Sequence, residues 1–367
     1  MELIWGEDYD VLAEVARSVF QRLSPLTDRD RTVDFSDQVR QFAQLDWLTL
    51  GDPRGGATGT TGLASAAAVF VESGRALVRS PLPALTTARD AAVLCSSPTS
   101  DELAAAVGAG DTTMVPAFHD PAWGQPMPTL RGGVLNGTVL AVPYADVADL
   151  LLVEATADAH GGHREKVLLA VPRTPAVAVE PMPNLGEHSI FAVTFSATPA
   201  SDAVVLARGG TAHTAVDTAR ARASVLVAAQ VHGAGLALLD RTVRYAQQRR
   251  QFGGPIGRFQ AVQYLCTDIA VGVHLTSAFV RDAARLLDGG AEAALEVALM
   301  RKQARQTAEE MVHAAHEVHA GIGFMVESDV HLFTKTAAKW MFDLGGDHRD
   351  DKVILAGLWR EQIGGQR

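Results

Sequence analysis

From residue 211 onward the chain reads as long helical runs joined by short breaks, and this commits its last part to helix-on-helix packing. The run "TAVDTARARASVLVAAQVHGAGLALLDRTVRYAQQ" contains no proline and repeats its apolar residues at helical spacing, which predicts one long helix. "FQAVQYLCTDIAVGVHLTSAFVRDAARLLDGG" and "AALEVALMRKQARQTAEEMVHAAHEVHA" predict two more, and a fourth begins near residue 328. Four long helices with short connections predict a bundle over residues 209–367.

The residues before it have a different texture. Between 111 and 208, "TTMVPAF", "VLNGTVLAV", "DLLLVEAT", "KVLLAV", "AVAVEPM", "FAVTFSA" and "DAVVLAR" are short β-rich runs set apart by proline, glycine and polar clusters. Their close spacing predicts a small sandwich or barrel, with Asn136-Gly137 as a hairpin turn. Residues 1–110 return to helical spacing. "DVLAEVARSVFQRL" puts Val11, Val15, Val19 and Leu23 on one side, with Leu12 and Phe20 beside them. "DFSDQVRQFAQLDWLTL" continues the period, "GDPRGGATGTTG" breaks it, "LASAAAVFVESGRAL" forms a third helix, and a fourth fits 101–109. The expected fold is α+β: an N-terminal helical domain (1–110), a central small β-domain (111–208) and a C-terminal four-helix bundle (209–367). A length of 367 residues suits more than one core.

Acidic residues outnumber basic ones, 42 to 32, which disfavours nucleic acid as a partner. Cys95 and Cys266 are the only cysteines, too few for a disulfide framework or a cysteine zinc site. The start "MELIWGEDYD" lacks the basic and apolar regions of a secretion signal, and "VADLLLV" at 147–153 is too short to span a bilayer. A soluble, cytoplasmic protein with no membrane partner is expected.

One connection stands out. Between two helical runs lies "RRQFGGPIGRFQ" at 249–260. A guanidinium fork matches phosphate oxygens, and a Gly-Gly backbone can approach an anion closely. The stretch "YAQQRRQFGGPIGRFQAVQ" resembles the most recognisable segment of the acyl-CoA dehydrogenase family. So, in order along the chain, do "QLDWLTLGDP" with "ESGRAL", "LNGTVLAVPYADVADLLLV" with "VAVEPMPNLG", and the glycine turn "HAGIGFMVESDVHL". The resemblance implies FAD as cofactor, with its pyrophosphate gripped across a subunit interface by the turn at Arg249, Arg250, Gln251, Phe252 and Gly253. Gln260 matches a position near the adenine half. Glu317 stands where a glutamine is expected and Ala320 where a glycine is, with Gly321 in the turn itself. Arg249, Gln251, Phe252, Gln260, Glu317 and Gly321 are the cofactor-binding candidates.

The family removes a proton beside the thioester with a glutamate while flavin takes a hydride from the next carbon. Its glutamate positions fall here on Leu344, Ala223 and Gln230. None is a carboxylate, so no catalytic residue is assigned. Gln230 keeps the shape of a glutamate without its titration, or is an ordinary helix-surface residue. His232, Asp240 and Asp343 are the remaining groups that could accept a proton. The stretch that flanks the flavin ring in the family reads Ala141, Val142, Pro143, Tyr144, and the loop before it reads "HDPAWGQP" at 119–126. Both depart from the family pattern.

These departures resemble the non-catalytic partner in a bacterial heteromeric (α2β2) acyl-CoA dehydrogenase. The implied partners are an acyl-CoA, including the CoA thioester of a steroid side chain, a second subunit in a heterotetramer, and an electron-transfer flavoprotein. Two alternatives stay open: a self-sufficient homo-oligomeric dehydrogenase with its base at Asp343 or Asp240, and a flavin-free binding or scaffold protein on the same fold. Glu310 and His313 form an ExxH, but no second ExxH accompanies it, so no di-iron or other metal site is expected; "HGGH" at 160–163 reads as a polar loop.

Overall fold

The computed structural model describes residues 9–27, 34–55, 62–159, 163–186 and 188–364. They fall into two compact units that interleave along the chain. One takes in residues 1–32, 61–79 and 224–367, the other residues 33–60 and 80–223.

The second unit is built on one sheet. Its strands are β1 (Met114–Ala117), β2 (Thr129–Arg131), β3 (Val134–Pro143), β4 (Leu150–Asp158), β5 (Arg164–Pro172), β6 (Val177–Pro181), β7 (Ile190–Pro199) and β8 (Val204–Arg208). The order is β6-β7-β3-β2-β4-β5-β8, and β1 and β2 lie end to end along one side of β4, both parallel to it. All other pairings are antiparallel, and among the described residues β6 and β8 remain the two edges of an open path. Among the described residues the expected sandwich or barrel is a single eight-stranded sheet. Asn136-Gly137 is not its hairpin turn. These residues sit inside β3, where the register against β7 shifts between Leu135 and Gly137, and Asn136 Oδ1 accepts a hydrogen bond from Ala197 N at 2.7 Å. The positive φ of Gly137 (132°) serves a bulge, and the turn between β2 and β3 uses Gly132 and Gly133.

Helices α2 (Phe35–Gln44), α4 (Leu82–Cys95) and α5 (Pro98–Ala109) accompany this sheet. The Asp34 side chain caps α2 by accepting from Ser36 N and Asp37 N. The sequence gives no periodic signal for α4 because nearly every one of its residues is buried, so no polar face marks it. The core joins Ala88, Ala92, Met114, Leu152, Leu168, Leu206 and Val216. In the same unit Arg222 is 2% exposed, and its Nε lies 2.8 Å from Asp90 Oδ2. Burial pushes the Asp90 carboxyl up to about 6, against the downward pull of Arg222 and Arg89.

The first unit contains α1 (Tyr9–Leu23), α3 (Leu63–Arg75), the latter part of α6 (Gly209–Gln248), α7 (Gln260–Asp288), α8 (Ala294–His319), α9 (Val330–Asp343) and α10 (Asp347–Gly364). The buried face of α1 is Ala13, Ala16, Val19 and Phe20, while Val11 and Val15 are exposed. The expected valine stripe fails because steps of four residues rotate steadily around a helix of 3.6 per turn. Small alanines also let α1 sit close to α3, where Arg17 grips the buried Glu72 with two hydrogen bonds of 2.9 and 3.0 Å. Each long helix expected after residue 209 is present, and α10 adds one more. Asp350 fixes it to α8 through Arg301 at 2.6 Å and Arg305 at 2.8 Å. An 18-residue window of α6 is apolar enough to cross a membrane, but 78% of it is buried in the protein, as suits a core helix.

Candidate functional site

At one end of the first unit, α6 stops and the chain turns back before α7. Arg249 N donates to Tyr245 O at 2.8 Å, and Ile256 N closes onto Arg249 O at 2.8 Å. Between them β9 (Arg250–Gln251) pairs antiparallel with β10 (Gly254–Pro255), leaving a two-residue loop of Phe252 and Gly253. Their φ values are 50° and 84°, the pattern of a type I′ turn. Gly253 meets this demand freely. Phe252, in a left-handed conformation unusual for a bulky side chain, does not, and its ring is 85% exposed.

The side chains around this hairpin divide into committed and free. The Arg258 guanidinium donates to Phe252 O and lies over the Phe259 ring at 5.0 Å. Phe252 and Phe259 meet edge to face at 6.0 Å. Arg249 and Arg250 are exposed, and among the described residues neither guanidinium has a hydrogen bond or ion pair. Gln251 is exposed, and Gln260, first residue of α7, donates to the Tyr264 hydroxyl. A side chain at Gly253 would meet nothing within 4 Å, so its backbone is open to an approaching group. The residues thus fit the phosphate end of a dinucleotide: two exposed cations on a tight turn beside accessible backbone.

Glu317 and Gly321 lie at the C-terminal end of α8. Because α7 and α8 pack as neighbours with a short connection at their other end, this is the bundle end that carries the hairpin. Glu317 is 58% exposed with His313 Nε2 4.0 Å away, and Gly321 faces open space. Ala320 adopts φ 52° and ψ −141°, a backbone state glycine reaches with far less strain. Exposed Ile322, Phe324, Met325 and Val326 follow it.

The base positions look different. Gln230 is 5% exposed and no surface residue. Its Nε2 donates to Ser73 Oγ at 3.2 Å, and its Oε1 accepts from Trp340 Nε1 at 3.2 Å. The amide therefore bridges α3 and α9, using a donor and an acceptor that a carboxylate could not supply together. The backbones around it are pressed together, since a Cβ at Gly74 would lie 2.0 Å from Gln230 O and one at Gly233 1.8 Å from Val71 O. Leu344 is buried after α9, and Arg305 holds its carbonyl at 3.0 Å. Ala223 directly follows the buried Arg222 in the second unit.

The remaining candidates for a base are committed as well. Asp240 pairs with Arg244 at 2.7 Å and Asp343 with Lys339. His232 is buried with Nδ1 2.9 Å from Val273 O, and burial pushes its pKa down to about 4. It stays neutral near pH 7, with Nδ1–H as the donor.

The stretch matched to the flavin ring lies in the second unit and is occupied internally. Val142 is buried, Ala141 N donates to Met182 Sδ at 3.2 Å, and the Tyr144 ring packs on Phe35 at 5.6 Å. The loop at 119–126 is pinned by Arg220, which donates to His119 O at 2.7 Å. A groove of about 570 Å³ beside Arg40, Gln44, Gly110 and Asp149 gathers none of the candidate residues. Of "HGGH", residues 160–162 lie outside the described residues, and among the described residues no group of His, Cys, Asp and Glu is arranged to hold a metal.

Residues 207–340 match the acyl-CoA dehydrogenase C-terminal domain. The bundle is similar to that family's C-terminal domain. Over 292 residues it is 29% identical to acyl-CoA dehydrogenase IpdE2 of Mycolicibacterium smegmatis, covering 79% of this chain and 76% of that protein. It is 34% identical to 3-(aryl)acrylate reductase of Clostridium sporogenes, but over 27% of this chain and only 26% of the reductase's length. Two solved structures share the acyl-CoA dehydrogenase fold along 98% of this chain with a TM-score of 0.83 and 23% identity. One is a variant of the Tcur3481–Tcur3483 steroid ACAD, matched over 100% of its chain. The other is the ChsE4–ChsE5 complex of Mycobacterium tuberculosis, matched over 99%. The α+β class and the C-terminal bundle read from sequence agree with these matches.

Proposed function

We propose that this acyl-CoA dehydrogenase-like chain is the non-catalytic subunit of a heteromeric acyl-CoA dehydrogenase that oxidises a CoA thioester, with a steroid side chain as the acyl group. The observation that carries the proposal is the contrast in hydrogen bonding along α6: among the described residues Arg249 and Arg250 are unpaired beyond its end, while Gln230 within it is buried and bonded through both its amide nitrogen and its amide oxygen. Bound FAD supplies a hydride acceptor. Arg249 and Arg250 would hold its phosphates, with the open Gly253 backbone beside them, and Gln251, Phe252, Gln260, Glu317 and Gly321 would border it at the same end of the bundle. No carboxylate of this chain stands at a base position, so the proton beside the thioester goes to a glutamate of the unlike subunit. The steroid ACAD and the ChsE4–ChsE5 complex, whose fold this chain shares, support the substrate class and the unlike partner. An electron-transfer flavoprotein is the proposed acceptor.

The test is expression of the chain alone and together with adjacent reading frames, followed by a visible absorbance spectrum and an acyl-CoA oxidation assay. The chain alone is expected to hold little flavin and to oxidise nothing, and the co-purified complex to be yellow and active. Full activity of the isolated chain would overturn the proposal.

A further inference from the structure

The last turn of α8 touches both structural parts assigned to the cofactor. His319, 7% exposed, lays its imidazole on the Tyr245 ring with centroids 4.3 Å apart and planes at 21°. Tyr245 is the root of the hairpin, since its carbonyl receives Arg249 N. His316, one turn earlier, stacks on Phe324 at 4.3 Å and 22°. Phe324 closes the glycine turn that starts at Ala320. Neither imidazole is free to swing. His319 Nδ1 lies 2.8 Å from Ala315 O, one helical turn back, and His316 Nε2 lies 2.8 Å from Thr334 Oγ1 on α9. Burial lowers the pKa of both rings, so they stack as neutral imidazoles.

We propose that His319 and His316 are positioning residues: through Tyr245 and Phe324 they hold the cationic hairpin and the glycine turn at a fixed spacing, so that both can engage one dinucleotide. A stacked aromatic pair contributes beyond its buried area and restricts ring rotation. The inference rests on the FAD reading above for its ligand. Its structural half, the coupling of α8 to the hairpin, stands on the stacks alone.

The experiment compares wild type with His319→Ala and His319→Phe, which keeps a ring in place. Hydrogen exchange of the hairpin amides between Arg250 and Ile256 is followed in the full-length chain, and affinity is measured by titrating FAD into the co-purified complex. His319→Ala is expected to exchange roughly tenfold faster in the hairpin and to bind FAD several-fold more weakly, with exchange in the middle of α8 unchanged. His319→Phe is expected to restore both. Unchanged hairpin exchange in His319→Ala would overturn the inference, as would a phenylalanine variant as loose as the alanine one. A wild-type complex without FAD would sink the cofactor reading and not the coupling, which the exchange rates decide by themselves.

Discussion

Gln230 and Arg249 lie on or beside the same helix, α6, yet their surroundings are opposite. Around Gln230, the helices meet at Gly74 and Gly233 with no room for a methyl group, and the amide is spent on Ser73 and Trp340. Around Arg249, two guanidiniums have no partner among the described residues, a phenylalanine is held at positive φ, and aromatic rings face solvent. Packing of the first kind stabilises the fold. A surface of the second kind is open to a ligand. Identity at a matched position therefore says less than the partners the side chain already has.

The largest effect expected from the closed region comes from Gly233→Ala. Its methyl would fall on the Val71 carbonyl, which cannot move aside as a flexible side chain could, and a loss of about 3 kcal/mol is predicted by urea denaturation. A loss below about 1 kcal/mol would show that α3 and α6 are not locked there.

Acid should open the same region. His232 has a folded-state pKa of about 4 and an ordinary value near 6.5, so the folded protein favours the neutral ring. The corresponding stability is fully present above pH 6.5 and is lost as pH falls from about 6.5 to about 4, amounting to ~3 kcal/mol. Denaturation midpoints across that window should fall in wild type and fall less in His232→Gln. Parallel curves would contradict the assignment.

Gln230→Glu is the gentler probe, because Ser73 and Trp340 can still donate to the introduced carboxylate. A cost of about 2 kcal/mol at pH 7 is expected from placing a charge in a buried site. Burial raises the pKa of the introduced carboxyl, so the deficit should shrink as pH falls through that raised value towards the ordinary glutamate range. No acyl-CoA oxidation should appear in the isolated variant. If it does, the position is an open base site after all.

The broad architecture was legible because long, proline-free helical periods and closely spaced β-rich runs are strong signals. Among the local features that were not, two are instructive. The helix α4 is buried nearly all round and so shows no amphipathic stripe, and Asn136-Gly137 carries a turn signature that a β-bulge satisfies equally well. At the candidate site, the cationic turn could be read from "RRQFGG", since arginine and glycine declare what they can do. The fate of Gln230 could not. Its partners, Ser73 and Trp340, are 157 and 110 residues away in sequence, and nothing local to either residue announces the bridge. The Tyr245–His319 stack was hidden in the same way, because a histidine recurring every third residue on α8 gives no hint of which ring it meets.

The account depends most on the free cations beyond α6. The direct measurement is bound flavin per protein in the co-purified complex carrying Arg249→Gln and Arg250→Gln, alongside its denaturation midpoint. Among the described residues neither guanidinium has a partner, so the midpoint should stay within about 0.5 kcal/mol of wild type, while flavin content falls sharply. Flavin retained at the wild-type level in a folded double variant would contradict the claim that this hairpin grips the cofactor.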